Sequence, residues 1–310
     1  MSAVSILIYL ILSQEVVLVA VWFREEAAPG HAVEWQVRRS LFSGRSDFQT
    51  IDVLELESFG RALVLDGIMQ TTTDDEFIYH EMLAHVPLLA HPAPRRVLII
   101  GGGDGGLARE VLRHQEVRSV VMVEIDRMVV EVAKKFLPAH TAALGDLRLV
   151  IHYADGAAFL RGLAPNERFD VILVDSTDPE GNGPGNGLYT PEFYRHLRNA
   201  LSPGGIFAQQ TGTPFFNPEV VQRVVKSVAE FFAWAGVYWS VVPSYPGGFF
   251  TFTAGSLGSA VDAPRREATW PTVWYTGAIH RLAFSLPPYL ARSVPYAVAN
   301  GAPTSVNHQR

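Results

Sequence analysis

The stretch that most constrains the fold of this 310-residue chain runs from Arg96 to Asp126. Residues 97–100 form a short apolar run, which is typical of a parallel strand buried on both faces. The glycines that follow are spaced G-x-G-x-x-G: Gly101, Gly103 and Gly106. A helical spacing of apolar residues comes next, and then a second strand that ends in Glu124. This order predicts a nucleoside site, with backbone N–H groups near the ligand and a carboxylate placed for ribose hydroxyls.

Asp104 is the unusual residue of the glycine turn, because its carboxylate would repel the phosphates that such turns usually bind. The turn is therefore expected to face a cationic group. This argues against NAD and favours a sulfonium nucleoside of the S-adenosylmethionine type. The alternative is that Asp104 only caps the following helix, a role that suits aspartate.

Composition limits the classes of protein that remain. The apolar share of 48% and the charged share of 18% are ordinary for a globular protein, and the length allows one large domain or two modest ones. A net charge of -6 argues against a nucleic-acid-binding surface. The absence of cysteine excludes disulfides and thiolate metal sites and fits a reducing compartment, so we expect a cytoplasmic protein.

The N-terminal residues 1–23 are mostly apolar, and we expect them to be an extension outside the fold. Glu15 would lie near the middle of any membrane span, and no Lys or Arg precedes Arg24, so we expect neither a membrane helix nor a secretory signal. We hypothesise that the extension comes from an upstream start site. Mass spectrometry of the native N-terminus would test this, with a mature start near Val21 as the supporting result.

A small antiparallel β-domain with a linking helix is predicted over residues 24–86. Apolar and polar residues alternate between 34 and 73, and Asp66-Gly67 is a strong hairpin signal. Asp74 is predicted to cap the helix, and the Pro-rich stretch from Pro87 is predicted to link it to the next domain.

The catalytic domain is predicted to span residues 87–310. Strand and helix patterns alternate along it, and the last two strands are predicted near 236–242 and 249–254. Their connection is too short for a parallel crossover. The predicted fold is therefore an α/β, doubly wound, methyltransferase-like (Rossmann-like) sheet that ends in an antiparallel hairpin.

Acidic residues recur where four consecutive predicted strands end: Asp104, Glu124, Asp155, Asp175 and Asp178. The carboxyl ends of parallel strands meet at one edge of a sheet, so these side chains predict an acidic pocket for a sulfonium or ammonium ligand. The alternative is helix capping, which would suit Asp126 and Asp155. Of the pair Asp175 and Asp178, one carboxylate can take a proton from an ammonium while the other positions it, and the glycine-rich loop 180–187 can close over them.

A metal site on the first predicted helix is not expected. His80 and His85 are five residues apart, which places their rings about 140° apart on a helix, whereas a zinc-binding helix presents two histidines four residues apart on one face.

Seven ordered motifs resemble those of the polyamine aminopropyltransferases, the spermidine synthase family. The resemblance covers roughly residues 32–292. The motifs are Leu-Asp-Gly-Ile-Met-Gln at 65–70, Asp-Glu-Phe-Ile-Tyr-His-Glu-Met at 75–82, Gly-Gly-Gly-Asp-Gly-Gly at 101–106, Val-Glu-Ile-Asp at 123–126, Asp-Ser-Thr-Asp-Pro at 175–179, Pro-Ser-Tyr-Pro-Gly-Gly at 243–248 and Ala-Ile-His-Arg-Leu-Ala-Phe-Ser-Leu-Pro at 278–287.

The resemblance implies transfer of an aminopropyl group from decarboxylated S-adenosylmethionine to putrescine, giving spermidine and 5'-methylthioadenosine. Glu124 would bind the ribose hydroxyls, Asp155 the adenine edge and Asp104 the amine of the aminopropyl arm. The residues implied for the nucleoside are Gln49, Gln70, Gly101, Gly103, Asp104, Glu124, Asp155, Gly156 and Pro184.

For the amine acceptor, the resemblance implies that Asp175 is the general base. The residues implied for polyamine binding are Tyr79, His80, Asp104, Asp175, Ser176, Thr177, Asp178 and Tyr245. Neither a metal nor a redox cofactor is needed, because decarboxylated S-adenosylmethionine is a co-substrate. The family also implies a homo-oligomer, either a dimer or a tetramer, with small-molecule substrates as its other partners and no membrane partner.

One departure from the family pattern affects the choice of acceptor. The loop after Asp178 is two residues longer than the family loop and lacks its acid, which also weakens the transfer of a role to Pro184. Agmatine, cadaverine or spermidine therefore stay open as acceptors. The competing classes are a methyltransferase that uses intact S-adenosylmethionine and a non-catalytic polyamine-binding relative. Asp104 and Asp178 argue against the methyltransferase, and the retained Asp175, Asp178 and Tyr245 argue against the non-catalytic relative.

Overall fold

The computed structural model describes residues 9–13, 16–179 and 183–294, which form two β-sheets flanked by helices. The first sheet is antiparallel, and its strands pair in sequence order. They are β1 (Tyr9–Ser13), β2 (Val16–Ala28), β3 (His31–Arg45), β4 (Thr50–Leu56), β5 (Arg61–Leu65) and β6 (Ile68–Thr72). The predicted hairpin is confirmed: Asp66 and Gly67 join β5 to β6 with φ angles of 48° and 81°, the positive values that a tight two-residue turn requires.

The start of this sheet differs from the predicted boundary at residue 23. Strand β2 pairs with β3 from Val21 onward, and Phe23 is buried against Trp35. Strand β1 pairs with the first half of β2. The apolar residues that the sequence analysis assigned to an extension therefore form strands where the structure describes them, in agreement with the strand preference of β-branched residues.

Helix α1 (Glu76–Ala90) leads from the first sheet to the second. It continues through Pro87, so the predicted boundary at residue 86 falls inside the helix. Its N-cap is Asp75 rather than Asp74, and the Asp75 carboxylate accepts hydrogen bonds from the backbone N–H and the hydroxyl of Ser244 (2.7 and 3.0 Å). Residues 77–90 are almost all buried, and this packing outweighs the hydrogen bond that a proline removes from a helix.

The second sheet is mixed, and its central strands are parallel. Its strands are β7 (Arg96–Gly101), β8 (Ser119–Glu124), β9 (Leu149–Tyr153), β10 (Phe169–Asp175), β11 (Leu201–Gly212), β12 (Trp234–Val241) and β13 (Phe249–Ser256). Their spatial order is β12-β13-β11-β10-β7-β8-β9, and β13 is antiparallel to both of its neighbours. The predicted fold class, a doubly wound sheet ending in an antiparallel hairpin, is confirmed.

Helices cover both faces of this sheet. They are α2 (Gly106–Leu112), α3 (Arg127–Phe136), α4 (Gly156–Gly162), α5 (Pro191–Ala200) and α6 (Pro218–Phe231), with α7 (Gly277–Ala283) and α8 (Pro288–Ser293) after the last strand. Strand β7 alternates its side chains between two hydrophobic cores, with Val97 and Ile99 in one and Leu98 and Ile100 in the other. Among the described residues, no helix combines the length and apolar character needed to cross a bilayer.

The strand order also fixes the position of the site. Strands β7 and β10 are neighbours, but the chain leaves them toward opposite sides of the sheet, which opens a crevice at their carboxyl ends. At that edge Gly101 pairs with Asp175 across the two strands.

Candidate active site

A single cavity at the carboxyl ends of β7, β8 and β10 collects most of the predicted site residues. The first sheet and helix α1 supply its other wall. The predicted residues that line it are Gln49, Gln70, Tyr79, Gly101, Gly103, Asp104, Glu124, Asp155, Gly156, Asp175, Ser176, Thr177, Asp178 and Tyr245. The structure thus brings the acids of four strand ends to one pocket, as the sequence analysis predicted.

Two predicted residues stand apart from this lining. His80 lies behind Asp104 and is buried, outside the lining that the described residues form. Pro184 begins a 3₁₀ helix (Pro184–Tyr189), whose Gly185 and Gly187 line the cavity. The loop residues 180–182, for which the sequence analysis proposed closure over the site, lie outside the described residues.

The glycine turn after β7 brings backbone and side chains unusually close together. Gly101 has a φ of 85°, and a Cβ atom there would lie 2.0 Å from the Asp175 carbonyl oxygen. The same carbonyl accepts the Gly102 N–H at 2.9 Å. A Cβ on Gly103 would lie 2.9 Å from Glu124 Oε2. Only glycine fits these positions, and its use places the turn against the ends of both neighbouring strands.

Asp104 is held as an anion inside this turn. Its Oδ1 accepts the Gly106 N–H at 2.7 Å, and its Oδ2 lies 3.5 Å from His80 Nε2. Burial alone would raise the pKa of Asp104, but the neighbouring His80 cation and the Gly106 N–H lower that pKa below its usual range. The bond to Gly106 resembles a helix cap, so capping and a cavity-facing charge coexist at this residue.

Asp175 has the opposite electrostatic setting at the end of β10. The Tyr79 hydroxyl donates to its Oδ1 at 2.6 Å. Burial raises the pKa of Asp175 to about 6, and the negative charge of Asp104 acts in the same direction, whereas His80 and the Tyr79 hydrogen bond oppose the shift. A carboxylate of this pKa is ionised at neutral pH and is a stronger base than an ordinary aspartate.

Glu124 ends β8 and also faces the cavity. Burial raises its pKa to about 7, helped by the charges of Asp126 and Asp175 and opposed by the Asp126 N–H, which donates to Glu124 Oε1 at 2.8 Å. Gln49, which immediately precedes β4, reaches the same region, and its Nε2 donates to Asp126 Oδ2 at 3.0 Å. The two domains therefore share one hydrogen-bond network at this end of the cavity.

The capping alternative is correct for two of the acids. Asp126 accepts the Met128 N–H at 2.9 Å and begins α3, and Asp155 accepts the Ala158 N–H at 2.7 Å and begins α4. Asp155 nevertheless lines the cavity as well, because one carboxylate oxygen suffices for a cap.

The opposite end of the cavity is built from polar and aromatic side chains that fix one another. Gln210 donates from Nε2 to Asp178 Oδ1 (2.8 Å) and to the Ser176 carbonyl (2.7 Å). The Tyr245 hydroxyl donates to the Gln70 carbonyl at 2.6 Å, and the ring of Tyr245 packs against Tyr79. These contacts fix the positions of the Asp178 carboxylate and of two aromatic rings at this end of the cavity.

Several residues of this end were not singled out from the sequence. They are Glu25, Glu26, Gln210, Thr213, Phe216, Asn217 and Phe250. Glu25 is buried and accepts the Met69 N–H at 2.9 Å. In the sequence, Glu25 is an acid that follows a continuous apolar run, and Gln210 is an amide within a mostly apolar strand.

The rings of His80 and His85 contact different residues, in agreement with their predicted divergence. His85 Nδ1 lies 3.1 Å from His114 Nε2, and His85 Nε2 lies 3.3 Å from Glu110. Ligand atoms of Glu81, His85 and Glu110 approach one another within 4.8 Å. The carboxylate of Glu81 already accepts three backbone N–H groups from residues 273–275, and that of Glu110 pairs with two arginines. These bonds account for the cluster as a support between elements.

Comparison with known proteins gives consistent matches along the chain. A family model described as "Spermine/spermidine synthase domain" matches residues 76–263, and one described as "Spermidine synthase tetramerisation domain" matches residues 21–73. The second match begins at the residue where β2 starts to pair with β3.

Curated relatives and solved structures agree with these matches. The polyamine aminopropyltransferase of Moorella thermoacetica is 43% identical over 272 residues, which cover 87% of this chain and 95% of that protein. The polyamine aminopropyltransferase of Desulforudis audaxviator is 42% identical over 272 residues, which cover 87% of this chain and 98% of that protein. A crystal structure of spermidine synthase in complex with the transition state analogue AdoDATO has a TM-score of 0.84 and 35% identity, covering 92% of this chain and 97% of that one. The crystal structure of spermidine synthase from Thermotoga maritima has a TM-score of 0.82 and 34% identity, covering 92% of this chain and 96% of that one.

Proposed function

The chain belongs to the spermine/spermidine synthase family, and we propose that it transfers the aminopropyl group of decarboxylated S-adenosylmethionine to putrescine, giving spermidine and 5'-methylthioadenosine. The observation that carries this proposal is the pair Asp104 and Asp175. The two carboxylates share one cavity, yet the pKa of Asp104 is lowered and that of Asp175 is raised. One residue is therefore suited to hold a cation and the other to take a proton.

The donor is assigned to the glycine-turn end of the cavity. Asp104 would pair with the ammonium of the aminopropyl arm, and Glu124 would accept hydrogen bonds from the ribose hydroxyls. The carboxylate of intact S-adenosylmethionine would meet the anionic Asp104 instead. This repulsion is the physical basis for selecting the decarboxylated donor.

In the proposed reaction Asp175 takes one proton from the attacking ammonium of putrescine. The freed nitrogen lone pair forms a bond to the methylene carbon beside the sulfonium, and the electrons of the broken C–S bond stay on sulfur as methylthioadenosine leaves. One proton is released for each spermidine formed. Holding nitrogen, carbon and sulfur in line supplies much of the remaining rate enhancement.

The acceptor is assigned to the end of the cavity formed by Asp178, Tyr79 and Tyr245. Their arrangement suits an amine that is charged at its ends and apolar between them, since aromatic rings attract methylene groups and cations alike. Putrescine is the proposed acceptor, and agmatine, cadaverine and spermidine are the alternatives. We propose no metal or redox cofactor, because the sulfonium itself makes sulfur a good leaving group.

We also propose that the chain forms a homo-oligomer. The match of residues 21–73 to a tetramerisation domain supports this, and those residues include most of the first sheet. Light scattering on a gel-filtration column would give the mass in solution, and a monomer at micromolar concentration would contradict the proposal.

Product analysis by mass spectrometry tests the reaction and its acceptor together. The protein would be incubated with decarboxylated S-adenosylmethionine and each of the four amines. We expect methylthioadenosine and one dominant product, spermidine, and a loss of about 10² to 10⁴ in kcat for Asp175→Asn. Methyl transfer from intact S-adenosylmethionine without aminopropyl transfer would instead support the methyltransferase alternative.

A further inference from the structure

A chain of alternating charges runs from helix α2 to the glycine turn. Arg109 donates to Glu76 at 2.9 Å, Glu76 Oε2 lies 2.5 Å from His80 Nδ1, and His80 Nε2 lies 3.5 Å from Asp104 Oδ2. The imidazole thus faces a carboxylate at each ring nitrogen. It can satisfy both only if both nitrogens carry protons, that is, as a cation.

The environment of His80 fixes its ring as well as its charge. The side chain is 1% exposed, so its charge depends on protein groups rather than on water. The ring lies against Gly106, where a Cβ atom would be 2.3 Å from His80 Cε1. Position 106 must therefore be glycine for the imidazole to reach Asp104.

The other groups packed against His80 do not replace the two carboxylates. Tyr79 and His140 meet its ring edge to face, with centroids 5.2 and 6.0 Å away. His140 has its pKa lowered by burial and shares a hydrogen bond with Thr71 at 3.2 Å. Burial would also lower the pKa of His80, but Asp104 and Glu76 together raise it well above its ordinary value.

We propose that Glu76, anchored by Arg109, is a positioning residue for the donor: it keeps His80 cationic, and His80 holds the Asp104 carboxylate in place for the ammonium of the aminopropyl arm. The identity of that ligand rests on the proposed function. The charge chain itself is a property of the free protein and does not depend on the substrate.

This arrangement has a consequence for proton transfer. A cationic His80 whose ring nitrogens both carry protons cannot accept one from the amine acceptor. Its charge also opposes the effect of Asp104 on Asp175, so it limits how far the pKa of Asp175 rises. Glu76 therefore acts on both ends of the reaction through one imidazole.

NMR spectroscopy of protein labelled at histidine Cε1 tests the charge chain without substrate. The His80 signal would be assigned by its loss in His80→Gln. We expect a cationic His80 from pH 6 to pH 9 in the wild-type protein, and a signal that titrates within this range in Glu76→Gln. Glu76→Asp keeps the negative charge and should keep His80 cationic.

Glu110→Gln is the matched control. Glu110 is also buried and paired with Arg109, but it contacts His85 instead of His80. The His80 signal should be unchanged in this variant. A neutral His80 in the wild-type protein at pH 8 would overturn the inference, and this measurement depends on no variant other than the one used for assignment.

Kinetics then connect the charge chain to the donor. We expect Glu76→Gln to raise KM for decarboxylated S-adenosylmethionine about tenfold, with kcat within about threefold, since a charge-assisted hydrogen bond to the donor subsite is weakened. An equal rise of the donor KM in Glu110→Gln would contradict a specific role for Glu76. Absence of any aminopropyl product from the wild-type enzyme would refute the proposed function. The NMR titration would still show whether Glu76 keeps His80 cationic.

Discussion

The pH dependence of donor use should reveal two carboxylates with raised pKa values. In the proposed reaction, Glu124 must be ionised to accept both ribose hydroxyls, and Asp175 must be ionised to take a proton. Their pKa values are raised to about 7 and about 6. For both groups the sign is the same: the protonated form is the inactive one, so activity falls as the pH drops through each value.

The expected magnitude follows from these two ionisations. In the free enzyme, kcat/KM for decarboxylated S-adenosylmethionine should level off above about pH 8, fall about tenfold per unit between pH 7 and pH 6, and fall about a hundredfold per unit below that. At pH 5 about a tenth of Asp175 and about a hundredth of Glu124 remain ionised, which gives a loss of about a thousandfold. Alkylammonium groups titrate near pH 10 and do not contribute in this range.

The assay is the initial rate of methylthioadenosine formation from pH 5 to pH 9, with both substrates well below their KM values so that the profile reports the free enzyme. Glu124→Gln is the informative variant, because it removes the ionisation near pH 7 and leaves a tenfold loss per unit that begins only near pH 6. A wild-type profile with its acid limb near pH 4 would mean that both carboxylates have ordinary pKa values. That result would refute the electrostatic reasoning used for this cavity.

Three further predictions concern single residues. Asp175→Asn should raise the free energy of unfolding at pH 8 by on the order of 2 to 3 kcal/mol. The reason is that the pKa of Asp175 is raised from 3.8 to about 6 in the folded protein, so the ionised carboxylate destabilises the fold. This stabilisation should vanish near pH 4, where the folded protein carries a protonated Asp175. Urea denaturation at both pH values measures this. Gly106→Ala should raise the donor KM at least tenfold by displacing His80, whereas Gly162→Ala, where a Cβ meets nothing within 4 Å, should leave it unchanged. Asp104→Asn should narrow the preference for decarboxylated over intact S-adenosylmethionine by about tenfold or more in competition binding by calorimetry, and an unchanged ratio would mean that Asp104 does not face the amino-acid arm.

The fold was predictable where the pattern of apolar residues in the sequence matches the faces of each element that are buried. Residues 97–100 form a continuous apolar run because β7 is covered on both faces, and the helices after it carry clear start signals. The prediction failed at the two ends of the first domain. The sequence analysis took Pro87 as a helix breaker and residues 16–23 as an extension. In the structure, tertiary packing keeps Pro87 inside α1, and pairing with the neighbouring strands places residues 16–23 in β2.

The acidic pocket was predictable because a rule of topology, rather than of side-chain geometry, brings strand ends together. Glu124 and Asp175 belong to strands whose carboxyl ends must meet. Glu25 follows no such rule, because it enters from the neighbouring sheet. Gln210 does lie at the carboxyl end of β11, but its uncharged amide did not mark it as a site residue. His80 was predicted as a contact of the acceptor, and only the side-chain geometry places it behind Asp104 instead.

The third glycine of the turn links these observations. In a dinucleotide-binding turn this glycine permits close packing of helix and strand. Here a side chain at Gly106 would occupy the space of the His80 ring, and without that ring Asp104 would lose its counterion. Burial would then raise the pKa of Asp104 as it raises that of Asp175. Two acids with similarly raised pKa values would then face the ligand. The difference in pKa between Asp104 and Asp175 therefore depends on a missing Cβ atom, which permits a histidine from α1 to contact one acid and not the other.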